Sequence, residues 1–171
     1  MASVKIQHEF DCDEDTLWQV CMLDDDYSRQ LYIETLRFPV WRIVEQRITD
    51  EKLVRRVEIQ PVIDNVPSAI RSILGERFAY VEEGALDRKA KLYKFRIIPN
   101  VLPEKTIITG DMYTEPLGDQ RVRRVIRTDV TVRLFAVGRL IEQKTIDDTR
   151  ASHEKIAAFT RRYLRARQAS P

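Results

Sequence analysis

The sequence predicts an α+β domain in which a curved antiparallel sheet of seven strands packs on one long C-terminal helix. Three observations predict it. Val4, Ile6, His8 and Phe10 alternate with Lys5, Gln7 and Glu9, the period of a strand with one buried face. Over 37–135, β-branched and aromatic residues dominate in short segments divided by turn residues, which reads as a run of strands. Over 138–167, Leu140, Ile141, Ile156, Phe159 and Tyr163 recur at helical spacing. A length of 171 residues fits a single domain over 1–171, with 168–171 expected as a frayed tail.

After the first strand, Asp13 suits the N-cap of a helix whose first turn holds Glu14 and Asp15 and whose body holds Leu17, Trp18, Val20, Cys21 and Met22. Asp24, Asp25 and Asp26 restart the chain into a second short helix through Tyr27 and Leu31. They read as helix-start acids, because calcium loops space their ligands at alternate positions around a glycine. Six strands follow, over 37–49, 53–63, 78–83, 91–98, 106–115 and 121–135, with a turn predicted at 84–90. One short helix interrupts them over 65–75, opened by Pro67 and closed by Gly75.

Composition excludes several functions. Lys and Arg number 29 against 27 Asp and Glu, so the net charge of +2 gives no global field for nucleic acid. Cys12 and Cys21, with only His8 and His153 to join them, form neither a disulfide framework nor a zinc set, and we expect a reducing compartment, no metal and no cofactor. Residues 1–6 lack a basic and apolar leader, and no apolar run reaches the roughly 18–20 residues that span a bilayer. A cytoplasmic protein that meets a membrane only from the side is the expectation. No Gly-x-Ser-x-Gly, phosphate loop or Cys-x-x-Cys is present, so no catalytic residue is assigned and no enzyme is expected.

Three stretches carry a resemblance. Met22-Leu23-Asp24-Asp25-Asp26-Tyr27, the segment 66–75 (Val-Pro-Ser-Ala-Ile-Arg-Ser-Ile-Leu-Gly) and Ala136-Val137-Gly138-Arg139-Leu140-Ile141-Glu142 resemble an uncharacterised bacterial family of the START-like (SRPBCC) superfamily. The segment 66–75 and Tyr80-Val81-Glu82-Glu83 also resemble, more distantly, the PRELI-type phospholipid transfer proteins. The resemblance implies a helix-grip fold, with the sheet wrapped around the last helix, and an internal cavity for a lipid or another apolar small molecule, held for transfer or sensing. It also admits a cyclase- or hydrolase-type enzyme using His8, Asp148 or Tyr93 as acid or base, and a partner-binding module with a filled core.

Candidate site residues follow from pattern. Parity places His8 on the inner face of its strand, and puts Arg124 with Ile126, Val130 and Val132, opposite Arg121, Arg123 and Arg127. Arg124 or Arg96 is the candidate anchor for an anionic headgroup, while an outer face of cross-strand ion pairs is the alternative for most of Arg55, Arg56, Arg96, Arg121, Arg123, Arg124 and Arg127. On the last helix Thr145, Asp148 or Thr149, and Ser152 occupy positions where a packed core calls for apolar residues, and either line a cavity or mark an exposed turn. Trp41, Tyr93, Phe95 and Phe159 complete the expected lining. Pro67, Ile70, Ile73 and Leu74 form the expected lid, and Val101 and Leu102 a rim able to touch a membrane. The basic end at Arg161, Arg162, Arg165 and Arg167 gives either weak docking on an anionic leaflet or a simple complement to the helix dipole. No feature sets an oligomeric state.

Overall fold

The computed structural model describes residues 1–170, and the last residue of the expected tail, Pro171, lies outside them. The elements are β1 (Ala2–Phe10), α1 (Glu14–Leu23), α2 (Asp25–Ser28), a π-helical segment (Arg29–Thr35), β2 (Val40–Ile48), β3 (Lys52–Gln60), α3 (Ser68–Leu74), β4 (Tyr80–Asp87), β5 (Leu92–Pro99), a 3-10 turn (Pro103–Lys105), β6 (Thr106–Pro116), β7 (Val122–Val132) and α4 (Gly138–Ala169). The seven strands form one antiparallel sheet in the order β1-β7-β6-β5-β4-β3-β2, so the first strand closes against the last. This curved sheet around a long C-terminal helix is the helix-grip fold. No helix among the described residues is long and apolar enough to cross a membrane.

Local chemistry explains the elements. Asp13 accepts from the Thr16 amide at 2.8 Å and from its hydroxyl at 2.6 Å, and Asp24 accepts from the Tyr27 amide at 3.0 Å. Both aspartates therefore satisfy orphan amides at helix starts, as the acid run predicts. Gly75 closes α3 with φ at 69°, a conformation glycine adopts without cost.

Several boundaries differ from the sequence expectation, two of them instructively. The predicted turn at 84–90 begins only after Asp87, because Gly84 is not a turn residue but a seat for a ring: a Cβ there would lie 1.9 Å from the Tyr93 hydroxyl. β7 ends at Val132 rather than 135, where the chain leaves the sheet for α4. α4 runs to Ala169.

Three apolar clusters hold the layers together. The first joins α1, α2 and the C-terminal half of α4 through Leu17, Val20, Tyr27, Leu31, Phe159 and Leu164. The second seats Ile146 of α4 against Val4, Ile6, Val130 and Val132. The third packs Trp18 and Met22 of α1 over Leu53, Leu86 and Tyr93. The outer face carries ion pairs across neighbouring strands, among them Arg42 with Glu58, Arg56 and Arg96 with Glu83, Arg123 with Glu9 and Glu115, and Arg127 with Asp111. Arg96 thus faces solvent and is not a cavity anchor. Of the seven arginines singled out by sequence, Arg55 and Arg124 turn inward.

Candidate functional site

Register places three polar side chains in one row of the inner face: Thr114 on β6 stands opposite Arg124 on β7, and Arg124 opposite His8 on β1. Each lies among apolar neighbours along its strand, as the alternation requires. Arg124 is 4% exposed, its guanidinium carbon sits 5.0 Å from the centre of the Phe10 ring, and its Nε and Nη2 have no hydrogen-bond partner. No carboxylate among the described residues is within salt-bridge reach of it. His8 lies within 2.9 Å of Glu154 Oε1 through Nε2, while its Nδ1 is sealed and unpartnered. His153, projecting from α4, likewise keeps a sealed Nδ1 without a partner.

Burial sets the electrostatics of this group. It lowers the pKa of His8, against the opposing bond to Glu154. It lowers that of His153 to about 3, with a further contribution from the positive charge of Arg124. His153 is therefore neutral at neutral pH and the charged form of His8 is disfavoured, so Arg124 is the fixed cation of an interior site with unused donors and acceptors. Burial also pushes the Cys21 thiol up, which makes it an inert wall rather than a nucleophile.

A cleft opens at the α1 end. Its volume is about 360 Å³, and it is walled by Trp18, Met22, Leu23, Leu53 and Leu86, with Arg88, Lys89 and Lys91 among the polar residues of its rim. A second, narrow void lined by Leu17, Trp18, Cys21, Met112, Thr114 and Arg124 is too tight for a water molecule. Trp18 borders both, so its indole stands between the cleft and the guanidinium. The indole Nε1 donates to Thr114 Oγ1 at 2.9 Å, and that hydroxyl donates to Glu14 at 2.6 Å.

The remaining sequence candidates are distributed differently. Tyr93 is buried, but its hydroxyl donates to Glu82 at 2.6 Å and accepts from Arg55 Nε at 3.4 Å, a satisfied network on β3, β4 and β5. Phe95 lies over Gly110, and Trp41 stacks on Tyr32 at 4.6 Å. Phe159 fills the core beside Tyr27 and Tyr163. Thr145 and Thr149 return their hydroxyls to the helix carbonyls of Ile141 and Thr145, and Ser152 is half-buried. Asp148 does not line the interior: its side chain is 57% exposed and pairs with Lys144 one turn away.

α3 carries a buried Ile70, half-buried Ile73 and Leu74, and an exposed Pro67, but it joins β3 to β4 at the opposite end from the cleft, as do the half-buried Val101 and Leu102. It therefore does not cover Arg124. At the C-terminus, Arg161 donates to the Glu9 carbonyl and Arg167 to Asp24, so both cations are engaged by the protein. Pattern reading passed over His153, which stands three residues before Ile156 and four after Thr149. That spacing along the inner stripe was the available signal.

The profile of a family described as "Protein of unknown function (DUF2505)" matches residues 5–164. Among solved structures, the chain is similar to a START superfamily protein from Mycobacterium smegmatis, with 14% identity over 95% of this chain and 98% of that one and a TM-score of 0.58. The 18 kDa protein CC1736 from Caulobacter crescentus is 14% identical over 99% of this chain and 100% of its own, with a TM-score of 0.64. Norcoclaurine synthase from Thalictrum flavum, solved in complex with dopamine and hydroxybenzaldehyde, is 14% identical over 93% and 86%, also with a TM-score of 0.64. These likenesses establish the START-type fold. No curated protein matches.

Proposed function

The chain belongs to the DUF2505 family, and from that premise we propose that it binds a small amphiphile of the lipid class, an apolar body with one anionic group, whose anion is anchored by Arg124. The observation that carries this reading is the unpaired guanidinium inside the grip. A buried cation without a counter-charge costs several kcal/mol, and a carboxylate or phosphate offsets that cost through paired, charge-assisted hydrogen bonds. Sealed nitrogens of His8 and His153 supply further polar contacts.

The cleft suits the apolar part. Its volume of about 360 Å³ falls within the roughly 300–1,000 Å³ of small-molecule sites, toward the single-chain rather than the two-chain end. Trp18, Met22, Leu53 and Leu86 give it an apolar floor, and displacement of the Trp18 indole joins it to the guanidinium. Transfer between membranes needs this burial, since each methylene leaving a bilayer costs about 0.8 kcal/mol that the protein must replace.

The test is native mass spectrometry of protein isolated without denaturation, beside an Arg124→Met variant. A bound amphiphile on the parent and its loss from the variant is the expected result, and a parent free of adducts contradicts the reading. One contact favours a second reading, acid–base chemistry on the bound molecule: His8 Nε2 lies 2.9 Å from Glu154 beside the guanidinium. Recovery of a chemically altered ligand that is lost in His8→Asn supports that reading, and recovery of unaltered ligand supports carriage.

A further inference from the structure

At the opposite end of the sheet from the cleft, the chain passes from β7 to α4 through Arg133, Leu134, Phe135, Ala136 and Val137. Phe135 is 100% exposed, and this exposure is built in rather than frayed. The Arg133 amide donates to the Lys105 carbonyl at 2.8 Å, the Val137 amide to the Phe135 carbonyl at 2.8 Å, and the Gly138 amide to the Leu134 carbonyl at 3.1 Å. Ala136 holds φ at 66°, and Gly138 lies so close under β7 that a Cβ would meet the Val132 carbonyl oxygen at 2.4 Å. The chain therefore turns tightly beneath the loop and projects the ring outward.

The surroundings of the ring are basic. Arg133, Arg139 and Lys105 are exposed, and none has a carboxylate within salt-bridge reach among the described residues; the acids nearby are the exposed Glu104, next to Lys105, and the buried Glu142, one turn along α4 from Arg139 and held by the Met1 amino group. Leu140, 44% exposed, adds apolar surface one turn into α4. We propose that this loop is a membrane-docking knob, in which Phe135 enters the interface of an anionic leaflet while Arg133, Arg139 and Lys105 meet its phosphates. An anionic lipid surface is the occupant because the exposed charges around the ring, Glu104 apart, are cations without an ion-pair partner. The inference is independent of the interior site.

Cosedimentation with phosphatidylcholine vesicles, with and without phosphatidylglycerol, tests it. Binding to the anionic vesicles alone is expected, weakening as salt rises. Phe135→Asp should weaken it by about tenfold or more, and Arg133→Glu or Arg139→Glu by about fivefold each. In a Phe135→Trp variant, the indole emission should shift to the blue when anionic vesicles are added. Equal pelleting of parent and Phe135→Asp, or an unshifted indole, overturns the proposal. So does a Phe135-dependent self-association with no vesicle binding, which assigns the knob to a protein contact.

Discussion

Arg55 and Arg124 lie on the inner face of the same sheet, four strands apart, and are buried to a similar degree, 7% and 4% exposed. Their surroundings differ. Arg55 stands 3.8 Å from Glu82, donates to the Tyr93 hydroxyl and lies over its ring, so its charge is balanced within the fold. Arg124 has no carboxylate within salt-bridge reach; it lies over the Phe10 ring, between His8 and Thr114 on the neighbouring strands, with the Cys21 thiol beside it. A paired buried charge is part of the architecture, whereas the unpaired one is the feature on which the proposed anion site rests.

Breaking the pair should produce the largest difference between the two regions. Arg55→Met strands Glu82 and Tyr93 and is expected to cost about 3 kcal/mol of stability in denaturant unfolding, while Arg124→Met is expected to be neutral or stabilising. Equal losses would erase the contrast. Gly84→Ala acts on the same half of the sheet: the new methyl collides with the Tyr93 hydroxyl and displaces it from Glu82, at an expected cost of about 2 kcal/mol with ligand affinity retained.

Acid acts on the other half. An unfolded histidine titrates near 6.5, whereas His153 is held down to about 3 in the fold and His8 is also lowered. The unfolded chain thus binds more protons between these values, so stability is full above about pH 6.5 and falls as the pH drops toward 3. The slope is at most about 1.4 kcal/mol per pH unit for each histidine. Arg124→Met removes a positive neighbour of both imidazoles and should flatten the slope, as thermal melts across that range will show. The smallest effect is expected at the partition between cleft and guanidinium, where Trp18→Phe removes one hydrogen bond to Thr114, worth about 1 kcal/mol.

Much of this comparison was legible in the chain. Period-2 alternation separated Arg124 from Arg121, Arg123 and Arg127 and put His8 inside, and the element order carried the fold. What alternation alone could not supply was the pairing of β1 with β7, a contact between opposite ends of the sequence, and so the adjacency of His8 and Arg124. Gly84 was read as a turn because a glycine beneath an aromatic ring and a glycine in a loop look alike in one dimension. On α4 the alternatives Asp148 and Thr149 differ by one residue, about 100° of rotation, and that step carries Asp148 into solvent while Thr149 stays half-buried. α3, the expected lid, and the cleft lie at opposite ends of the sheet, and nothing local in the sequence indicates which end stays open.

The central claim is that Arg124 recognises the anionic group of an apolar ligand. Calorimetric titration of the protein with oleate and with oleyl alcohol isolates that group, since the two share one hydrocarbon body. Preference for oleate by about 2 kcal/mol, roughly thirtyfold in affinity, is expected of the parent and should vanish in Arg124→Met. Equal affinity of the parent for both, or an oleate preference that survives in Arg124→Met, would contradict it.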